Sequence, residues 1–519
     1  MRYLLAAFAA LAAWELFRYA ALTAAKERLR KRTQRFAEAH GVRVDLFKFG
    51  GKQLVREELF NDLAVQRAML AAAQAGELAE DVRRRVEEYI DEIVPAFSLS
   101  AYFEVGLKLA AAAVRSAYRP IIVKRPPDLP RNATAVFLIN HRSNFDYVVV
   151  GWALAQRVAI SYAVGEWARI FPLDALFRAF GGFFVRRGFP DPLYHTVLRR
   201  YLQLITRHGV TQGIFPEGGL TRDGALRAPK VGLLDGLLQL ALDPAFDREL
   251  LFVPVGINYD RVLEDEALLA EKRGREHPPT VPEKLRGALR LLWIVPTRMV
   301  FNAFRAATGR LRRSGYAAVA FGEPIAVRAL LARRGHLGPG AAAIPLPDDE
   351  RRELAKDIAR ELMDRIARCI PATPVPLVAR AMLELREAPY SRLAERVRDL
   401  REELGRASVP TALGKEFEPQ LRGRESLEEE RSSRLVASLE GEVLGLEEAE
   451  QLVRLGVKLL RRRRLLRSAE GVVRIGSHPH AEELLEYYAR SLAVLPDRTG
   501  ANESQMSLPI PPASRPVSR

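Results

Sequence analysis

Cysteine is almost missing from this chain. Cys369 is the single one among 519 residues, which excludes an intramolecular disulfide and any metal site built from several thiolates. Nothing therefore argues for an oxidising compartment, and a reduced cytoplasmic setting is expected. Cys369 falls in a helical pattern from Ile358 to Ile370, where a free thiol is expected to be inert packing. Histidine is also scarce, with eight residues. None shows paired ligand spacing: His195 and His208 fall within or at the end of a helical pattern, and His478 and His480 lie in a loop without a ligand cluster. No internal repeat is visible, and no RNA or DNA motif accompanies the basic charge.

A clean membrane-spanning run is lacking too. Tyr3 to Trp14 is unbroken apolar sequence, but Glu15 and Arg18 interrupt its continuation, and each charge costs about 2.5 to 3.5 kcal/mol at a bilayer centre. Glu15, Arg18 and Lys26 fall near one side at helical spacing, which suits a segment lying in the interface. The basic cluster from Lys26 to Arg35 argues against a cleaved signal and is expected on the cytoplasmic side. A buried core helix is the alternative.

What is present is globular: 48% hydrophobic and 28% charged residues, with a net charge of +16 that favours anionic partners such as nucleic acid, anionic lipid or phosphate-bearing substrates. The chain divides into a membrane-associating segment (1–35), a charged helical domain (36–118), a domain of alternating strands and helices (119–330), a helical extension (331–407), a charged linker (408–433), a final helical unit (434–495) and a proline-bearing tail expected to be disordered (496–519). Strand patterns at Ala133 to Ile139, Val158 to Val164, Phe183 to Arg186, Thr211 to Phe215, Leu251 to Ile257 and Ala317 to Phe321 alternate with helix patterns such as Leu193 to Arg207. That alternation predicts an α/β fold with a mostly parallel sheet flanked by helices.

The first chemical cluster runs from Asn140 to Tyr147, directly after a predicted strand, where α/β sheets place their sites. His141 and Asp146 are five residues apart, about 140° on one continuous helix. They meet only if His141 sits in the turn before the helix and Asp146 in its first turn. The carboxylate then accepts the proton of one imidazole nitrogen and leaves the other to deprotonate a hydroxyl. Ser143-x-x-Asp146 is equally a capping-box-like helix start, for which Asp146 needs no catalytic role. Gly181 to Arg187 brings two guanidinium groups, Arg186 and Arg187, to the end of another strand. Phe215-Pro216-Glu217-Gly218-Gly219-Leu220-Thr221-Arg222 ends a third strand in a glycine turn that exposes backbone amides, with Lys230 beyond it. Val253 to Asp260 reads as a core strand or as the wall of an acyl channel.

In that order, His-x4-Asp, Gly-x-x-Phe-x-x-Arg, Phe-x-Glu-Gly-Gly-x-x-Arg and Val-Pro-Val resemble the four motifs of the glycerolipid acyltransferase family. The charged helical region ahead of them, with Ile358 to Leu383 and Glu483 to Leu495, looks like the larger membrane-bound glycerol-3-phosphate acyltransferases and their dihydroxyacetone-phosphate relatives. The shorter lysophosphatidic acid acyltransferases usually lack these flanks. The resemblance implies His141 as base, Asp146 as its orienting partner, and Glu217 and Gly218 as active-site wall. It also implies that Arg187, Arg222 and Lys230 bind the acceptor phosphate, while Phe184 and Pro254 line the substrate site. Where the family commonly has a basic residue this chain has Leu220, so one positive charge is missing.

The implied reaction is direct acyl transfer from acyl-CoA or acyl-ACP to a glycerol-phosphate acceptor, glycerol-3-phosphate foremost, at the cytoplasmic face of the inner membrane. It calls for no metal and no cofactor. A covalent route through Ser143 is the weaker reading, since the capping role is sufficient for it. The rivals are a basic nucleic-acid-binding protein, prompted by Arg461 to Arg464, and a silent lipid-binding scaffold. That arginine run follows an apolar helical pattern, so a solvated or lipid-facing helix end explains it, and no nucleic-acid partner is expected.

Overall fold

The computed structural model describes residues 51–95, 97, 102, 106–130, 132–154, 157–158, 160–165, 177–178, 180–186, 188–274, 313–337, 346–412 and 446–496. The expected membrane-associating segment, Arg187, most of the linker and nearly all of the tail lie outside the described residues.

Among the described residues four helices lead in: α1 (Gly51–Phe60), α2 (Leu63–Gln74), α3 (Ala79–Ile93) and α4 (Leu107–Ala117). The central sheet follows, with β1 (Arg119–Lys124), β2 (Ala133–Ile139), β3 (Ser161–Gly165), β4 (Phe183–Val185), β5 (Gln212–Ile214), β6 (Glu249–Tyr259), β7 (Tyr316–Phe321) and β8 (Ile325–Ala326). Its order is β1-β7-β6-β2-β5-β3-β4, with β8 paired to β6. The run β6-β2-β5-β3-β4 is parallel, whereas β7 and β8 run antiparallel to β6. The fold is thus α/β, with a mostly parallel sheet flanked by helices. Between the strands lie α5 (Asp146–Leu154), α6 (Pro192–Arg207), α7 (Gly232–Ala241) and α8 (Asp265–Lys272).

β2 reads as continuous apolar sequence because both of its faces are covered. Ala135, Phe137 and Ile139 enter one core and Val136 and Leu138 the other. The same alternation on β6 sends Val253, Val255, Ile257 and Tyr259 to the first core and Phe252 to the second. β1 is an edge strand, a position that tolerates its Pro120.

After α9 (Val327–Arg333), the long α10 (Asp348–Cys369) brings its C-terminus against β6. A Cβ on Gly256 would lie 2.1 Å from the Cys369 carbonyl, so only glycine permits this approach. Cys369 is mostly buried and its thiol is pushed up to about 11 by that burial. Then come α11 (Pro374–Leu385), β9 (Glu387–Pro389), α12 (Tyr390–Arg406), α13 (Leu446–Arg461), β10 (Leu466–Ala469), β11 (Val472–Ile475) and α14 (Ala481–Ala489).

Two expectations change here. The 434–495 unit is not wholly helical: β10 and β11 form a hairpin that pairs with β9. Its two-residue turn, Glu470 and Gly471, has φ of 51° and 78°, the left-handed pair that suits tight hairpins. The first residues assigned to the linker are also built into the fold, since Val409 and Ala412 are buried and Ala412 N–H donates to Ala372.

Candidate active site

The turn between β2 and α5 starts with Asn140, whose side chain pairs with both backbone groups of Ile257 on β6 (2.7 and 3.0 Å). This fixes where the chain leaves the sheet. His141 follows in the turn, and Asp146 is the first residue of α5. Nδ1 of His141 is 2.9 Å from Oδ2 of Asp146, with both side chains sealed at 1% and 0% exposure. Oδ2 also accepts the backbone N–H of Arg142 (2.7 Å) and Ser143 (3.1 Å), and Oδ1 accepts the Tyr259 hydroxyl at 2.6 Å. Asp146 therefore performs both tasks considered for it: it reaches back to cap the helix start and it holds the imidazole. Because Oδ2 accepts, Nδ1 carries the proton, and Nε2 has no hydrogen-bond partner among the described residues. The ring stacks on Phe215, centroids 4.1 Å apart, with Tyr147 edge-on at 5.7 Å.

The turn after β5 closes on the same point. Oε1 of the buried Glu217 accepts the His141 N–H at 2.7 Å, Oε2 accepts the Arg227 N–H at 2.9 Å, and Thr221 N–H donates to the His141 carbonyl at 3.0 Å. Both backbone groups of His141 are thus held by one loop. Burial pushes the Glu217 carboxyl from its ordinary 4.5 up to about 7, against the two amides that lower it. Gly218 has φ of 64° and lies under the stem of Lys230, whose Cγ would be 2.8 Å from an added Cβ.

Of the residues expected at the site, His141, Asp146, Glu217 and Gly218 come together in this knot. Pro254 is on β6, paired with Leu138 of β2. Phe184 is buried in the core on β4, with Arg178 over its ring at 4.9 Å. Arg222 does not turn inward: it is exposed and pairs with Glu271 on α8 at 2.6 Å. Arg186 pairs with the buried Glu92 of α3 and packs over Phe189 at 4.6 Å, so it ties the leading helices to β4. Ser143 is held by its neighbours, accepting from Phe145 N–H and donating to Glu264 at 2.8 Å.

Sequence reasoning missed Tyr259, Glu264, Arg142 and Arg227. Tyr259 had a usable signal, because strand alternation puts it on the same face as Val253, Val255 and Ile257, toward α5. Glu264, which also accepts Asn144 N–H at 3.2 Å, had none. Arg142 donates to the Gly224 carbonyl at 2.9 Å and lies over Tyr487 of α14 at 5.2 Å, so the C-terminal unit forms the back of the site. Nearby, Asp265 is held by Arg463 and by the Tyr488 hydroxyl. Among the described residues no cluster of His, Cys, Asp or Glu is placed to hold a metal ion.

Two family models match this chain: "Acyltransferase" over residues 120–258, which spans the knot, and "Glycerol-3-phosphate acyltransferase C-terminal region" over residues 300–488, which includes Arg463, Tyr487 and Tyr488. The chain is thus similar to acyltransferases both in its sheet domain and in its C-terminal region. Proteins named glycerol-3-phosphate acyltransferase are similar to it in Actinobacillus succinogenes (28% identical over 70% of this chain and 44% of that protein), Aeromonas hydrophila (29%, over 69% and 43%) and Pseudomonas aeruginosa (29%, over 67% and 39%). The match thus spans less than half the length of these curated relatives. A solved structure, the 1-acyl-sn-glycerophosphate acyltransferase of Thermotoga maritima, aligns with 60% of this chain and 96% of that one at 15% identity, with a TM-score of 0.26.

Proposed function

We propose that this protein is an enzyme, a glycerol-3-phosphate O-acyltransferase that moves a fatty acyl group from acyl-CoA or acyl-ACP to the sn-1 hydroxyl of glycerol-3-phosphate in phospholipid biosynthesis. The observation that carries this reading is the His141–Asp146 contact, which leaves Nε2 of a tautomerically fixed imidazole as the available base. In the reaction Nε2 takes the acceptor hydroxyl proton as its oxygen bonds to the thioester carbonyl carbon. A main-chain N–H or cation of the surrounding wall stabilises the tetrahedral oxyanion. Collapse breaks the carbon–sulfur bond, and the imidazolium returns its proton to the departing thiolate. Atoms and charge balance without metal or redox chemistry.

Lysophosphatidic acid and dihydroxyacetone phosphate offer the same hydroxyl and phosphate and are the alternative acceptors. The reading places the protein at the cytoplasmic face of the membrane, held by the apolar and basic residues 1–35. Among the described residues no helix is long and apolar enough to cross a bilayer. Purified protein in detergent, given acyl-CoA or acyl-ACP and each of the three acceptors, is expected to release thiol fastest with glycerol-3-phosphate. Preference for another acceptor would reassign the substrate, and release that never depends on acceptor would remove the reading.

A further inference from the structure

We infer that Arg227, with Lys230 beside it, is the cation that receives the acceptor's phosphate monoester; this rests on the acyl-transfer reading above. Phosphate recognition by side chains draws on cations whose N–H groups are not already spent. Most guanidinium groups around the knot are spent. Arg142 is 2% exposed, donates to Gly224, and has its Nε and Nη2 sealed from solvent. Arg186 is bound to Glu92 and Arg222 to Glu271. Lys272 and Arg490 both face Asp223.

Arg227 differs from all of these. Its backbone N–H holds Glu217, and Nη1 donates to the Leu220 carbonyl at 3.3 Å. Nε and Nη2 have no partner among the described residues, and unlike the same atoms of Arg142 they are not sealed. No carboxylate lies within ion-pair distance of this half-buried guanidinium among those residues. A partly desolvated cation without a counter-ion is a site prepared for an anion, and the remaining edge of the guanidinium is the fork that matches two phosphate oxygens.

The placement fits as well. Arg227 is two hydrogen bonds from His141 at both ends. The backbone end connects through Glu217, and the guanidinium end through the Leu220–Thr221 peptide, whose N–H binds the His141 carbonyl. The apolar Leu220 side chain packs against the core and brings no charge, so the guanidinium laid on its carbonyl supplies the charge missing at that position. Lys230 is exposed, with its stem across Gly218 on the same turn.

The test compares Arg227→Gln, Arg227→Lys and Lys272→Gln in the full chain. None alters a backbone N–H, so the Glu217 contact is kept in each. Arg227→Gln is expected to raise the glycerol-3-phosphate KM by about 10- to 100-fold, the loss of one or two charged hydrogen bonds. Arg227→Lys recovers part of the loss, and the acyl-donor KM changes less than about twofold. Lys272→Gln, at a cation already paired with Asp223, leaves the acceptor KM near wild type. An unchanged acceptor KM in Arg227→Gln overturns the assignment. Calorimetric titration with glycerol-3-phosphate applies the same test without turnover: binding lost in Arg227→Gln but kept in Lys272→Gln supports it, and equal or absent binding in all three and in wild type overturns it. Wild-type protein that binds but transfers no acyl group would remove the acyl-transfer reading while leaving the phosphate assignment standing.

Discussion

Asp146 and Asp260 are the same side chain in nearly the same setting. Each follows a central strand, each is sealed at 0% and 3% exposure, and each accepts two backbone N–H groups. They differ in where the donors come from. Asp260 takes the amides of Tyr316 on β7 and Val375 on α11, and so joins the sheet to the C-terminal helices. Asp146 takes amides from its own turn, then an imidazole and a phenol. Burial alone does not make a carboxylate chemical; a donor that can pass a proton onward does. Glu217 is the intermediate case, with two amides like Asp260 but one of them belonging to His141.

The sharpest way to break this comparison is the same substitution at both aspartates. Asp146→Asn puts an NH2 where an acceptor is needed and disturbs the tautomer, so kcat is expected to fall by about 10²- to 10⁴-fold. Asp260→Asn should leave kcat per folded molecule near wild type. Equal losses in thiol-release assays would erase the distinction. Glu217 gives the next effect. Its folded value is raised above the unfolded one, so the folded state holds the extra proton, and stability falls as pH rises from 4.5 through about 7. The span is on the order of 3 kcal/mol. In denaturant titrations Glu217→Gln should flatten this slope, and an unaltered slope would count against a buried, titrating Glu217. Asp260→Ala comes third: at pH 5, below the value of about 6 to which burial pushes its carboxyl, it leaves two amides unpaired. A loss of about 2 kcal/mol in unfolding free energy is expected, and none would show that these two hydrogen bonds contribute nothing to stability. Tyr259→Phe is smallest. It frees Oδ1 of Asp146 and should lower kcat about 10-fold with the acceptor KM unchanged; a KM effect instead would place Tyr259 against substrate.

Much of this arrangement was legible in the sequence where contacts are local or where both faces of a strand are covered. β2, β6 and β7 announce themselves as unbroken apolar runs, and the His141–Asp146 spacing carries its own geometric condition. The hairpin β10–β11 escaped because LRSA and VVRI are short and carry arginine, so only the Glu470-Gly471 turn marks them. Tyr259 lies 113 residues from Asp146, and their meeting depends on the register between β2 and β6. The pairing of Arg222 with Glu271, 49 residues on, is likewise invisible to motif spacing. Arg227 carries no motif position, and its significance emerges only from which neighbouring cations are already neutralised.

The central claim is that Nε2 of His141 accepts the acceptor's proton while Asp146 holds the other side of the ring. Acyl transfer to glycerol-3-phosphate by His141→Ala, measured beside circular dichroism and thermal unfolding of the same preparation, tests it most directly. The account predicts transfer at the uncatalysed background with the fold intact. A rate near wild type would contradict it.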